Sequence, residues 1–513
     1  MRSLKTGICI ALLAGSAWVW AQGTAPRERA AEQGPFYILP HVEGLMLCDE
    51  ALADPAVTDA LQAFAYCIDR GLNGSGPLTR LLDTLEPGGP AGQVQIGYML
   101  TLPLLDLYEK NPSGQWEISS KKVEANLNLI RHVNRPVVVY FSSTHFDTTS
   151  PLSKELAAAP ENLMKLPNGQ PPQLGYYGYG IHPYTLRTDE SVPINHYRFN
   201  ALRHIAKKIA ELPEDAQKKI VGFTLAGEAH QLFPDFETGM GRYQDMQTTD
   251  YDPASVAEFR KWLREKYETI ENFRKKTGLD FENFDAITAP GKDIRKDKLN
   301  NFGEHYDAYA DGIAPVAGWL RDPKQRVQRL DLYVDGQLLA PMTRHMNRLD
   351  VYRAKPEITT PNTGFRHDID FSGMATGKHR LQVVAETQDG RKILIGERIL
   401  VIVPRDQSAV AEHVPPGVDD FSGMWSKAWH YVPSSIRKWL QRRRWIQPGN
   451  PQSSLEDVDW WLDMPAGMLD VYYNPLARDW NEFRQTQVFR FLNQFRAGAK
   501  GRVVVFGRRR GQG

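Results

Sequence analysis

The stretch K-I-V-G-F-T-L-A-G-E-A-H, residues 219–230, decides how this chain is read. Between Ile220 and Gly227 it is free of charge and rich in β-prone residues, and the charge returns at Glu228. Such a run predicts a buried strand, entered from the helical pattern A-L-R-H-I-A-K-K-I-A-E-L of residues 201–212. In parallel α/β folds the catalytic groups stand at the carboxyl ends of strands, where the loops gather. Glu228 occupies that position.

Upstream, the same alternation repeats. P-F-Y-I-L-P-H (35–41) predicts a strand, and Val57 to Arg70 a helix with Leu61, Phe64, Ala65 and Ile68 on one face. The Gly/Pro-rich stretch E-P-G-G-P-A-G (86–92) precedes a second strand, V-Q-I-G-Y-M-L-T-L (94–102). A helix over 120–133 leads to a third strand, P-V-V-V-Y-F (136–141), and a long polar and aromatic loop covers about 143 to 195. Glu228 therefore closes the fourth strand of a β-α-β-α-β-α-β series. That order predicts a parallel sheet, either a barrel or an open doubly wound sheet.

Downstream, the pattern changes near Gly318. From Trp319 to Pro404 short alternating runs replace helices, with Asp335-Gly336 and Asp389-Gly390 as hairpin signals. This span, 318–404, predicts a small immunoglobulin-like β-sandwich inserted as a structural module. Alternation resumes with M-L-D-V-Y-Y-N (468–474) as a fifth strand, a helix over 481–495, and R-V-V-V-F-G (502–507) as a sixth. The expected fold class is thus α/β: a TIM-type (β/α)8 barrel of about six strands, apparently incomplete, interrupted by an all-β sandwich. Its parts are 33–317, 318–404 and 405–513.

A chain of 513 residues predicts two or three domains. The net charge of +1 gives no field for nucleic acid and suits a neutral partner. Arg2 and Lys5, the apolar run Ile8 to Trp20 and V-W-A before Gln22 predict an export signal over 1–21, the alternative being a retained anchor. No later segment is apolar enough to span a membrane, so a periplasmic or secreted location is expected. Cys9 lies in the signal, which leaves Cys48 and Cys67 as either one disulfide or two buried thiols. Metal-ligand cysteine spacing, H-x-x-x-H, G-x-x-x-x-G-K-[ST] and G-x-S-x-G are all missing, so no metal and no cofactor is expected.

The block Y-D-P-A-S-V-A-E-F-R-K-W-L-R-E-K-Y-E-T-I-E-N-F-R-K-K-T-G (251–278), continuing to Pro290, resembles the segment after the acid/base in β-galactosidase-like glycoside hydrolases of family 42 and their clan A relatives. Phe259, Trp262, Leu263, Lys266, Tyr267, Thr269 and Ile270 fall in register with that family's helix; Phe273-Arg274 departs from it. The resemblance implies a TIM barrel, a carbohydrate substrate and Glu228 as the general acid/base. It also implies an Asn before that acid, where this chain has Gly227, and a nucleophile Glu on a seventh strand, for which no position matches. Retaining hydrolysis needs two carboxylates about 5 Å apart. Asp245, Asp250 and Asp252 read as solvated loop acids. His145, Asp147 and His230, with Tyr473 and Asn474 at the fifth strand end, are the expected sugar contacts, His145 being equally a satisfied loop histidine. Three readings stay open: a hydrolase, an inactive glycan-binding protein that keeps the cleft, or a fragment of a longer glycosidase.

Overall fold

The computed structural model describes residues 34–500 apart from 177–178, 235–245, 389, 391, 407–409, 411–412, 418–435, 437–457 and 465–466. The export signal, Asp245 and the expected sixth strand lie outside the described residues. The molecule is mixed α and β, and its chain divides into two compact units. No helix among the described residues is long and apolar enough to cross a membrane.

The first unit comprises residues up to Leu100 with Glu124–Val139 and Pro213–Gly222. Strand β1 (Phe36–Ile38) pairs in parallel with β2 (Val94–Ile96), and a parallel bridge joins His41 to Met99. Gly97 separates β2 from β3 (Tyr98–Pro103), because any side chain there would overlap the Pro136 carbonyl. Helices α1 (Ala60–Asp69) and α2 (Ser75–Leu85) lie between β1 and β2 in the chain, and Cys48 is bonded to Cys67 inside a small buried cluster. Helix α3 (Ser120–His132) precedes β4 (Val137–Ser142), and β5 (Ile220–Ala226) follows the helix α4 (Pro193–Ala210). The sheet order is β3-β4-β5. Val137 N–H donates to Lys219 O at the start of β4, and Ser143 N–H donates to Ala226 O at its end, so β4 and β5 run parallel. Counting only β1, β2 with β3 as one, β4 and β5, Glu228 follows the fourth strand; two antiparallel hairpins, Tyr108–Lys110 with Trp116–Ile118 and Gly175–Tyr176 with Tyr179–Gly180, fall between these strands in the chain.

The second unit comprises Thr101–Val123, Tyr140–Leu212 and the chain from Phe223 onward. The loop expected over 143–195 holds more order than its polarity suggests. Ser150 caps a helix over Pro151–Ala157, and α4 begins at Pro193, before the segment expected to be helical. Its first turns bury Ile194, Asn195, Arg198 and Phe199, so tertiary packing outweighs a mixed local pattern. Helices α5 (Pro253–Tyr267) and α6 (Ile270–Thr277) form the block that carries the family resemblance. Phe259, Leu263 and Tyr267 are buried with Trp480 and Phe483 of α7 (Pro475–Lys500). Thr269 caps α6, and Gly278 ends it in the left-handed region at φ 66°. The motif residues are packing and capping residues.

After β5 a short antiparallel pair, β6 (Leu232–Phe233) and β7 (Gln247–Thr248), follows, and from Ile313 two sheets close over one core. The first has the order β11-β12-β8-β15, built from Thr343–Met346, Gly364–Asp370, Ile313–Arg321 and Asp459–Leu462. The second runs β10-β9-β13-β14-β16, built from Gln337–Pro341, Val327–Val334, Gly377–Thr387, Lys392–Ile402 and Met468–Val471. Val316, Phe365 and Leu462 from one sheet meet Leu332, Val383 and Leu400 from the other. The Asp335-Gly336 hairpin forms as expected, with both residues at positive φ (51° and 78°), the twist a two-residue turn requires. The expected fifth barrel strand is corrected: Met468–Val471 pairs in parallel with Ile399–Ile402 at the sandwich edge. Its alternating apolar face is satisfied there, where Leu469 and Val471 join the sandwich core. The sandwich is thus wider than 318–404.

Candidate active site

Two adjacent strand ends in the second unit build the site. After β4 the chain runs S-S-T-H-F-D, and local hydrogen bonds close this loop. Asp147 accepts from Ser142 Oγ and from Thr144 N–H, each at 2.9 Å, and Phe146 N–H donates to Thr144 Oγ1 at 3.1 Å. The loop carries His145 inward, where its side chain is 4% exposed. Its ring packs 4.2 Å from Phe146 and edge-on to Phe233, 5.6 Å between centroids. His182 N–H donates to His145 O at 2.9 Å.

After β5 the backbone turns sharply. Gly227 N–H donates to Leu225 O at 2.6 Å around Ala226, whose φ is 59°, and Gly227 follows at φ 83°. A three-residue turn about a non-glycine at positive φ is strained and persists only where its surroundings hold it. The holding group is Tyr140 on β4: a Cβ on Gly227 would overlap the Tyr140 hydroxyl and the Thr144 methyl. The turn leaves the Glu228 side chain 60% exposed. Glu228 Oε2 stands 3.6 Å from His145 Nε2 and 3.6 Å from His230 Nε2, and the two imidazoles meet edge-on at 4.9 Å. His230 Nδ1 lies 2.7 Å from Leu232 O. A carbonyl only accepts, so Nδ1 carries a proton and Nε2 faces Glu228. Gln231, next in the chain, donates to Gln487 of α7 at 2.8 Å and anchors this loop.

Burial, and then the neighbouring His230, pull His145 down to about 3, so its imidazole is neutral at pH 7. Burial pushes Asp147 up to about 7 against the hydrogen bond from Ser142; the nearby Asp106 carboxylate raises it further, and the Thr144 N–H lowers it. Burial also raises Tyr140, opposed by a Ser142 hydrogen bond and reinforced by the charges of Asp147 and Glu228. Tyr140 therefore lies within the field of both carboxylates.

The expected residues sort into two groups. Glu228, His145 and His230 come together, and Asp147 braces their loop. Asn474 belongs elsewhere: fully buried, its amide donates to Gly303 O and His305 O at 3.0 and 2.7 Å and its oxygen caps α7 at Leu476 N–H. Tyr473 packs on the sandwich core with Arg478 over its ring. Both come directly after β16, a strand of the sandwich edge, which is why they leave the strand-end cluster. Asp250 and Asp252 are not solvated. Asp250 is 1% exposed and accepts from Lys165 N–H and Ser255 Oγ, while Asp252 caps α5 and pairs with Lys165 at 3.1 Å. Tyr140 and Phe233 were missed in the sequence, because each sits in an apolar run that reads as core. The metal-competent triad His145, Glu228 and His230, with ligand atoms all within 4.8 Å, was missed too. Its two histidines lie in separate loops, and no linear spacing reveals them.

No family model matches the chain, and no curated protein matches it. Solved structures similar to it at low identity include the following two. One is a β-galactosidase from the psychrophilic Marinomonas ef1, 14% identical, aligned over 53% of this chain and 31% of that one, with a TM-score of 0.29. The other is an endo-β-1,4-mannanase from Thermotoga petrophila, 15% identical, aligned over 72% of this chain and 56% of that one, with a TM-score of 0.13. The chain thus spans less than a third of the first and just over half of the second. At these scores the superpositions assign neither a family nor a fold.

Two outcomes follow from this geometry. Gly227→Ala should destabilise the protein by about 2–3 kcal/mol, from positive φ and the overlap with Tyr140. Tyr140→Phe in the same chain should recover part of that loss in urea unfolding; equal midpoints for Gly227→Ala and wild type would contradict the reading. Asp147 binds its proton more tightly folded than unfolded. Its contribution is therefore present below the unfolded carboxylate value and is lost as pH rises towards about 7. Asp147→Asn, whose oxygen can accept from Thr144 N–H while its amide donates to Ser142 Oγ, should flatten the decline in stability between pH 5 and pH 8. Urea midpoints that fall equally in both proteins would refute this.

Proposed function

We propose that this chain is an exported glycoside hydrolase-like protein of the clan A type, acting on O-glycosidic bonds of an oligo- or polysaccharide with Glu228 as general acid/base. The parallel strands β1 to β5 with their helices are read as the first half of a (β/α)8 barrel, and the two-sheet module as an immunoglobulin-like insert. The observation that carries this reading is the placement of Glu228. It follows β5, the fourth strand when the two intervening hairpins are set aside, on a strained turn that presents an exposed carboxylate between imidazoles.

Tyr140 accounts for the departure at position 227. Where the resembled family has an Asn side chain, this backbone leaves no space for one, and the Tyr140 hydroxyl fills that place. A phenol there is a donor for a sugar hydroxyl beside the scissile bond. A glycosidic oxygen seated over the turn would take its proton from Glu228 as its bond to the anomeric carbon breaks and the alcohol leaves, and the resulting carboxylate would take back a proton from the water that adds to that carbon. A cleft of about 740 Å³, which the chain reaches at Leu232, two residues after His230, is also lined by Gln247, Tyr251, Arg295 and Tyr306, a mixture of aromatic and polar groups suited to sugar units.

A specific observation supports the second reading, glycan binding without turnover. Among the described residues at these strand ends, the other acid is Asp147, and both of its oxygens are engaged by Ser142 and Thr144. It braces a loop and is not free to attack an anomeric carbon. Hydrolysis of β-linked oligosaccharides by the purified protein separates the readings. The hydrolase reading expects turnover that falls about 10²–10⁴-fold in Glu228→Gln. Turnover unchanged in that variant would overturn the role of Glu228. No turnover by wild type, with oligosaccharide binding measured by calorimetry, would select the second reading.

A further inference from the structure

We propose that His145, Glu228 and His230 form a binding site for one divalent transition-metal ion, zinc being the best match to the ligand set. The inference goes beyond glycoside chemistry and does not depend on it.

The first ground is geometric. Both Nε2 atoms approach the same carboxylate oxygen, Glu228 Oε2, at 3.6 Å. That distance is too long for a hydrogen bond. It suits the edge of a coordination polyhedron. A tetrahedral zinc ion with bonds of about 2.0–2.1 Å sets its ligand atoms roughly 3.4 Å apart. All three ligand atoms lie within 4.8 Å of one another, so a small inward shift of the exposed Glu228 and half-exposed His230 side chains would complete the triangle. Two imidazoles with one carboxylate suit zinc and its neighbours in the first transition row, and disfavour magnesium and calcium. The exposed side of Glu228 leaves a fourth position for water, the pattern of an open zinc site.

The second ground is the support around the ligands. A metal-bound histidine usually donates its other ring N–H to a carbonyl or carboxylate, which sets the tautomer and aims the lone pair. His230 does this with Leu232 O at 2.7 Å. Phe233 packs against both imidazoles, 4.9 Å from His230 and 5.6 Å from His145, and fixes their ring planes. The His145 backbone is tied to His182, and the His230 loop to α7 through Gln231. The two imidazoles, on separately braced loops, are thus oriented before any ion arrives, and the exposed Glu228 side chain closes on them.

One consequence concerns Glu228. Its carboxylate cannot both coordinate the ion and carry a transferable proton, so zinc and the general-acid role are mutually exclusive. In a hydrolysing enzyme, zinc should inhibit and a chelator should restore turnover.

The test is calorimetric titration of zinc chloride into chelator-treated, full-chain protein made without a polyhistidine tag. One ion per chain should bind at micromolar or tighter dissociation constant. His145→Ala and His230→Ala should each weaken it at least tenfold, while magnesium chloride should give no comparable binding. X-ray absorption of the zinc-loaded wild type, which needs no variant to fold, should report two imidazole nitrogens at about 2.0–2.1 Å. Absence of binding, wild-type affinity in either histidine variant, equal binding of magnesium, or a spectrum without imidazole nitrogen would overturn the proposal. Neither measurement needs turnover. Zinc binding without hydrolysis would sink the hydrolase reading alone, and hydrolysis without zinc binding would sink this one alone.

Discussion

The Tyr140 hydroxyl stands where a side chain on Gly227 would stand, and the candidate site depends on that close approach. Strand β4 supplies the phenol and β5 supplies the bare backbone, so the contact requires the two strands to run parallel and in register. The turn at Ala226 and Gly227 holds positive φ at two successive residues because Tyr140 and Thr144 occupy the space on its inner side. Glu228 is exposed as a result. Without the turn, the regular alternation of a strand would continue, and position 228 would be set by the pleat alone. Strain of this kind, held by neighbours, is characteristic of functional positions.

The same turn brings three chemically different groups around one carboxylate. A buried, neutral imidazole lies on one side, a second imidazole of fixed tautomer on another, and a phenol behind. This set can serve a sugar or a metal ion, and the two uses make opposite demands on Glu228. Proton transfer needs its oxygen free, whereas coordination needs it bound. The choice rests on which ligand the exposed face meets.

Much of this was legible in the sequence, and the reasons for the rest are physical. The apolar runs ending at Leu102, Phe141 and Ala226 are long enough for period and composition to mark them as strands, so the place of Glu228 just past a strand end was legible, whereas the short hairpins at 108–118 and 175–180 were not. The Asp335-Gly336 hairpin was legible because only a few residue pairs tolerate two positive φ angles. Residues 468–471 were misplaced because an alternating strand carries no label for its partner; pairing is decided by which sheet edge lies open, here that of Lys392–Ile402. Asp250 and Asp252 looked solvated because loop acids usually are, and nothing local announces that Lys165, Ser255 and a helix end will receive them. His145 and His230 meet only through tertiary structure. Tyr140 was hidden by its own neighbours, since an aromatic among valines reads as core.

The central claim is that a ligand's reacting atom sits over the Ala226–Gly227 turn, against residue 228. A diffraction structure of the Glu228→Gln protein with a β-linked oligosaccharide tests it most directly. The account predicts a glycosidic oxygen about 3 Å from the side chain of residue 228, with a sugar hydroxyl on Tyr140 Oη. Sugar bound only on the two-sheet module, with the turn bare, would contradict it.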